Sequence, residues 1–291
     1  KERLDIIKNM LHKLAVITVL YRNYTILDDF FASLDKQTDI DFRVYVADLT
    51  EEKKGYEYPN YVTYIPERNC GYAYGVNKAI QQAIEEGYDM FCVMNSDVFV
   101  KGDFVAKVKR NLEHHPRSLL GGKIYYAPGY EFHKERYPDT DLGKVLWYAG
   151  GENDWKNCTT DHRGVDEVDR GQYNTFAKTD FITGCLLCYD KQVFEKVGKW
   201  DESYFLYYED ADFCERTKKA DIPLYYDPAV VIWHKNAAST GGSGSPIHLE
   251  FQKRNQLIFG LKYAPFRTKL HLLKNYVSDF DRLAKKLLKR N

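Results

Sequence analysis

The chain has 291 residues, 44% hydrophobic and 29% charged, which suits a folded chain with a sizeable core in one large α/β domain or two small ones, and excludes intrinsic disorder. Lys+Arg and Asp+Glu both number 42, so the charge balance offers nucleic acid no electrostatic footprint and that partner class is set aside. No apolar run approaches the roughly 20 residues that cross a bilayer; the sequence opens on Lys1 without a charged-then-apolar leader, and whether an anchor precedes it is left open.

In chain order, Ala15 to Leu20 is a short β-rich apolar run and predicts a buried strand. Thr25 is placed to cap a helix through about Leu34, with Ile26, Phe30 and Leu34 on one face. A second strand is predicted over Phe42 to Ala47, ending at Asp48, and a third over Val62 to Ile65. A turn at Asn69-Cys70-Gly71 leads into a helix from about Tyr74 to Glu86, then a fourth strand, Met90 to Met94, ending in Asn95-Ser96-Asp97. This alternation implies a mostly parallel sheet covered on both faces, with ligands bound beyond the carboxyl ends of the strands, where Asp48 and Asp97 fall.

The stretch from Tyr125 to Gln172 is rich in Gly, Tyr and charge and reads as long loops or short strands of functional type. A strand is predicted over Phe181 to Tyr189, helices over Lys191 to Val197 and Asp210 to Ala220, and a strand near Val230. Gly241 to Ser245 is a flexible segment suited to a mobile loop over a site. Leu270, Leu273, Val277, Phe280, Ala284 and Leu287 recur at helical spacing, with Lys274, Arg282, Lys285, Lys286, Lys289 and Arg290 opposite. That basic side is either a solvated outer face or a contact with an anionic membrane surface. Most of the six cysteines sit in apolar runs and read as buried thiols of a reducing compartment; Cys185 and Cys188 have CxxC spacing but no second ligand pair.

Four features carry chemistry. Asp97, with Asn95 two residues earlier, is a strand-end carboxylate suited to Mg²⁺ or Mn²⁺, which one or two carboxylates share with phosphate oxygens and water. From Trp200 to Asp212, five acidic residues interleave with five aromatics. Burial there raises a carboxyl pKa and makes a better general base, so Glu209 or Asp210 is the candidate, while Asp212 is expected to turn away from the side Asp210 faces. His234, at the end of Val230-Val231-Ile232-Trp233, is placed as a structural histidine or a metal ligand. The turn Arg68 to Asn77 offers Gly71 and Gly75 for close backbone approach, before a helix N-terminus that favours an anion.

In their order and spacing these pieces resemble the family 2 glycosyltransferases, with their GT-A α/β fold, and most nearly a bacterial rhamnosyltransferase-like branch, from about Ala15 to about Tyr263. The resemblance implies that Asp48 contacts a pyrimidine ring, that Arg68, Asn69, Gly71, Gly75 and Asn77 lie beside the nucleotide, and that Asn95-Ser96-Asp97 is the DxD-like motif with Asn95 in place of its first carboxylate. It implies Asp97 and His234 on the metal, Asp210 as the favoured base beside Glu209, and walls for donor sugar and acceptor from Trp147, Gly150, Gly151, Thr183, Gly184, Trp200, Asp201 and Glu202. Arg254-Asn255-Gln256 matches the family's closing helix, whereas Tyr21-Arg22-Asn23 and Asp48-Leu49-Thr50 depart from its usual N-terminal motifs. The domains implied are 1–265, with a nucleotide-binding half over about 12–125 and an acceptor half over about 126–265, and a basic amphipathic helix over 266–291.

The expected activity is a metal-dependent inverting transfer from a nucleotide-diphosphate sugar, dTDP-rhamnose favoured and UDP-sugars (galactofuranosyl, hexosyl or N-acetylhexosaminyl) as alternatives, to a polysaccharide or lipid-linked glycan. It would take place in the cytoplasm or at the inner face of the membrane; a homodimer stays open. The reading from another class is a non-catalytic carbohydrate- or nucleotide-binding module on the same fold.

Overall fold

The computed structural model describes residues 12–236 and 246–276. Gly241 to Ser245, and the C-terminal positions from Val277 on with all the basic residues named there except Lys274, lie outside the described residues.

The apolar runs of the N-terminal half form β1 (Leu14–Leu20), β2 (Phe42–Asp48), β3 (Val62–Pro66), β4 (Met90–Met94) and β5 (Val98–Val100); between them lie α1 (Leu27–Leu34), α2 (Tyr72–Glu85) and, after β5, α3 (Phe104–His114). Next come β6 (Leu119–Tyr126), β7 (Leu146–Tyr148), β8 (Gly151–Asp154), β9 (Thr159–His162), β10 (Ala177–Lys178) and β11 (Leu186–Asp190). The chain continues through α4 (Lys191–Val197), α5 (Glu209–Lys219), β12 (Leu224–His234), α6 (Pro246–Tyr263) and a helix over 266–276, α7.

The main sheet runs β10-β12-β6-β11-β4-β1-β2-β3, with β5 on β12 and β7 on β6; β8 and β9 form a separate antiparallel pair. The strands β3, β2, β1 and β4 are parallel. In β1, β2 and β4 nearly every residue is buried, so both faces of this half are covered, as the alternation predicts. β11 enters antiparallel between β4 and β6. That insertion brings the turn before β11 to the ends of β4 and β12, which no local pattern indicates.

Several boundaries differ from the sequence reading for physical reasons. Thr25 caps no helix: a 3₁₀ turn (Tyr24–Ile26) precedes α1, and the Thr25 hydroxyl bonds Asn23 instead. The strand expected over 181–189 begins only at Leu186, because Thr183 to Cys185 form a turn into the site. Of the apolar face expected for the C-terminal helix, the two described members, Leu270 and Leu273, are exposed, together with Phe266 and Tyr276. Leu272 faces α6 instead, within reach of Gly260. All six cysteines are free, and five are buried, as their apolar settings imply.

Candidate active site

The turn Asn95-Ser96-Asp97 joins β4 to β5, and β5 pairs antiparallel with the end of β12, setting His234 opposite Val98. Asp97 and His234 therefore meet: His234 Nε2 lies 3.2 Å from Asp97 Oδ1, and both side chains are buried. Two ligands in neighbouring positions of an octahedron with bonds of about 2.1 Å stand about 3 Å apart, so this oxygen–nitrogen pair fits a divalent cation completed by phosphate and water. Among the described residues no third His, Cys, Asp or Glu joins them, which accords with a cation shared with a ligand and not caged by protein. Burial alone would pull the His234 imidazole down, but the Cys185 sulfur and the Asp97 carboxylate outweigh it and hold its pKa well above the ordinary range.

The second centre is the N-terminus of α5. Glu209 and Asp210 are adjacent, and burial raises both carboxyls; for Glu209 the charge of Asp210 adds to the rise, taking it well above the usual range. Their surroundings differ. Asp210 Oδ2 accepts from the Gly184 amide at 2.8 Å and Oδ1 from that of Ala211 at 2.8 Å. Glu209 Oε2 is buried with no hydrogen-bond partner among the described residues. Amide donors stabilise a carboxylate, and their lack disfavours one. The pair shares its protons as a unit, and the geometry puts the retained proton on Glu209 and the charge on Asp210. Asp212 does turn away: fully buried, it accepts from Tyr204, Tyr263 and Lys262 through Oδ1 and from Arg216 through Oδ2, tying α5 to α6.

The turn Thr183-Gly184-Cys185 links the two centres. Gly184 donates to Asp210, while Cys185 lies beside His234 and Asp97, and its carbonyl accepts from the Asn95 amide. Tyr72 stands at the junction. Its hydroxyl bonds the Gly184 carbonyl at 3.2 Å and Asn95 Oδ1 at 3.4 Å, and burial, then the carboxylates of Glu209, Asp210 and Asp97, push it far up. Sequence reasoning passes over Tyr72; its place right after Gly71 was the available signal.

The loop leading into α5 is strained, since Phe205, Tyr207 and Tyr208 all have positive φ (63°, 68° and 71°) without being glycine. Each such residue costs on the order of 1–3 kcal/mol and persists only where its surroundings hold it. Two braces do so. Gly71, at φ 99°, brings the α2 N-terminus against Phe205, whose carbonyl accepts from the Tyr72 amide at 2.7 Å; a Cβ on Gly71 would lie 2.4 Å from that oxygen. From the other side Asn255 of α6, fully buried, donates its amide to the carbonyls of Tyr204, Leu206 and Tyr207 at 2.8, 2.8 and 2.9 Å. Asn255→Ala orphans these acceptors. It is expected to destabilise the chain by about 2–4 kcal/mol, read as a lower urea midpoint, and to lower kcat with little change in nucleotide affinity. An unchanged midpoint would show that the loop holds itself.

Of the residues expected beside the nucleotide, Asp48 ends β2 fully buried and already partnered: Oδ2 accepts from Tyr24 at 2.6 Å and Tyr64 at 3.0 Å, and Oδ1 from the Thr50 amide at 2.9 Å. A pyrimidine reaches it only by exchanging with a tyrosine hydroxyl, and Tyr64, part-exposed and stacked on Tyr58, is the accessible one. Arg68 is exposed nearby, Asn69 caps the Gly71 amide, Gly75 packs on Val19, and Ser96 is buried. Asn77 is corrected. Its side chain bonds Trp200 on both backbone sides, at 2.9 and 2.9 Å, and Glu202 at 2.8 Å, so it braces α2 against the loop before α5.

Among the expected sugar walls, Trp200 is 1% exposed, stacked on Phe213, with its indole N–H on Tyr189. Asp201 caps Ser203 and pairs with Lys262 at 2.5 Å, and Glu202 is held by Asn77. Gly150 and Gly151 are packed under Arg163 and Phe181, so they shape the start of the β8–β9 hairpin. Thr183 is buried and Gly184 holds the Asp210 carboxylate. Trp147 lies against His234, the two ring centroids 4.7 Å apart.

A family model described as glycosyl transferase family 2 matches residues 15–198. The chain is 26% identical over 264 residues to an N-acetylglucosaminyl-diphospho-decaprenol L-rhamnosyltransferase of Mycobacterium tuberculosis, covering 84% of this chain and 83% of that one. It is 20% identical over 251 residues to the low-salt glycan biosynthesis hexosyltransferase Agl10 of Haloferax volcanii, covering 85% and 76%. Among solved structures it is similar to GalNAc-T7 crystallised with UDP, GalNAc and Mn²⁺ (TM-score 0.60, 13% identity, 80% of this chain and 45% of that one). It is also similar to S. aureus TarS (TM-score 0.50, 14% identity, 89% and 41%). These likenesses are to the GT-A fold, and this chain spans less than half the length of either solved chain.

Proposed function

This chain belongs to glycosyl transferase family 2, and from that premise we propose that it transfers L-rhamnose from dTDP-rhamnose, with inversion, to a hydroxyl of a lipid-linked or cell-surface glycan. As a member of that family it is a glycosyltransferase acting on a nucleotide sugar. The observation that carries the mechanism is the Thr183-Gly184-Cys185 turn, which sets the Glu209–Asp210 pair beside the Asp97–His234 pair. Asp210, carrying the charge of its pair, takes the proton of the acceptor hydroxyl as that oxygen attacks the anomeric carbon, in a single displacement that expels the nucleotide diphosphate. Glu209, kept protonated, adds no competing charge. Asp97 and His234 would hold Mn²⁺ or Mg²⁺, which when bound neutralises charge on the departing diphosphate.

The choice of rhamnose is supported by the mycobacterial relative's name, and a UDP-sugar donor is the second reading, favoured by the hexosyltransferase relative. No described helix is long and apolar enough to cross a membrane. A lipid-linked acceptor is supported by the exposed side of α7, where Phe266, Leu270, Leu273 and Tyr276 present an apolar strip that would rest on a cytoplasmic membrane surface.

Calorimetric titration with dTDP, UDP, GDP and ADP, each with Mn²⁺ and with EDTA, tests the proposal. Binding of dTDP or UDP only with metal is the expected result, with dTDP-rhamnose hydrolysis as the next assay. Equal affinity with and without metal would remove the metal site. Binding to none of the four would turn the reading to a non-catalytic module.

A further inference from the structure

His162 has no part in the machinery described so far. It ends β9, opposite Gly151 across the hairpin. Its ring is fixed by aromatic neighbours: the Trp147 centroid is 4.4 Å away, Tyr148 5.2 Å and Phe181 6.1 Å. Trp147 is the same indole that stands 4.7 Å from His234, so both imidazoles lie edge-on to one ring. The hairpin also touches the loop before α5, since the Tyr208 hydroxyl donates to the Cys158 carbonyl at 3.2 Å.

The protonation pattern of this ring is set by its surroundings. Nδ1 lies 3.1 Å from the Trp147 carbonyl oxygen, which can only accept, so Nδ1 carries the hydrogen. Burial pushes the imidazole down to about 4, leaving it neutral near pH 7. A neutral imidazole has a single N–H, here committed to Trp147, so Nε2 presents a bare lone pair. The side chain is part-exposed, and Nε2 has no hydrogen-bond partner among the described residues. His162 therefore offers an acceptor with no donor, against an indole that also flanks His234. A sugar ring supplies the complement: C–H faces for the aromatic wall and a rim of hydroxyl donors.

We propose that His162 Nε2 accepts a hydrogen bond from a sugar hydroxyl at this site, on the donor sugar or on the glycan acceptor, and so takes part in sugar selection. This rests on the transferase reading above. The two sources of the hydroxyl are told apart by comparing hydrolysis of dTDP-rhamnose without acceptor (or of the UDP-sugar selected by the titration) with transfer to acceptor. His162→Phe keeps a flat ring against Trp147 but removes the acceptor; His162→Gln returns an amide oxygen near the position of Nε2.

For His162→Phe we expect dTDP affinity within twofold of the unaltered chain and a rise of about three- to tenfold in one KM, the range one neutral hydrogen bond supplies. A rise in the nucleotide-sugar KM during hydrolysis places the hydroxyl on the donor; a rise only in the acceptor KM places it on the acceptor. His162→Gln should recover most of the loss. Unchanged KM values for both substrates, a parallel fall in dTDP affinity, or a Gln variant as impaired as Phe would each overturn the assignment while leaving the transferase reading in place. Absence of metal-dependent nucleotide binding in the unaltered chain would instead overturn that reading, and this assignment with it.

Discussion

Asp210→Asn is expected to lower turnover by about 10²–10⁴-fold, the usual worth of a general base, while dTDP or UDP binds within about twofold of the unaltered chain. The size of the side chain is preserved, so the effect isolates its capacity to take a proton. The amide nitrogen would face one of the two N–H groups of Gly184 and Ala211 that the carboxylate now accepts from, so the melting midpoint is followed in parallel. Glu209→Gln is the informative contrast. With Glu209 already protonated, a neutral isostere should cost less than about tenfold; the opposite order of effects would make Glu209 the base. The sign of the pH dependence follows from the same pair. Burial raises both carboxyls, so activity should rise with pH through a limb displaced above the ordinary carboxylate range and be lost as pH falls through it. A flat profile down to the usual carboxylate pKa would contradict the buried-base assignment.

Asp97→Ala should abolish the metal-dependent part of nucleotide binding and lower activity by more than about 100-fold, since a cation stabilises a departing diphosphate by several kcal/mol. Calorimetry with Mn²⁺ and with EDTA separates the two contributions: residual binding in the variant should equal that of the unaltered chain in EDTA. If metal still enhances binding in Asp97→Ala, the cation lies elsewhere. The linked proton gives a second reading. In the cation's absence, Asp97 and Cys185 hold His234 protonated to above the ordinary imidazole range. A cation needs the neutral ring, so binding expels that proton. Apparent Mn²⁺ affinity should therefore rise by up to about tenfold per pH unit until the His234 pKa is passed, and fall correspondingly toward acid. His234→Ala should flatten that slope as well as weaken the site.

The sequence by itself determined the strands and helices of the nucleotide-binding half, because apolar runs and helical spacing are properties of neighbouring residues. It placed Asp48 and Asp97 at strand ends for the same reason, and it marked Glu209, Asp210 and His234 through acidic and aromatic clustering and family resemblance. Tertiary structure decided how those residues are used. Asn77 and Trp200 lie 123 positions apart yet bond each other, so the end of the Arg68 to Asn77 turn also braces the loop before α5, and Trp200 is buried in the core. Tyr72, Asn255 and His162 acquire meaning only from partners that sheet order supplies. β11, running antiparallel between β4 and β6, brings the 183–185 turn to both carboxylate centres. The difference between Glu209 and Asp210 is likewise tertiary: the Gly184 amide, distant in sequence, donates to Asp210, while Glu209 Oε2 is buried with no hydrogen-bond partner among the described residues.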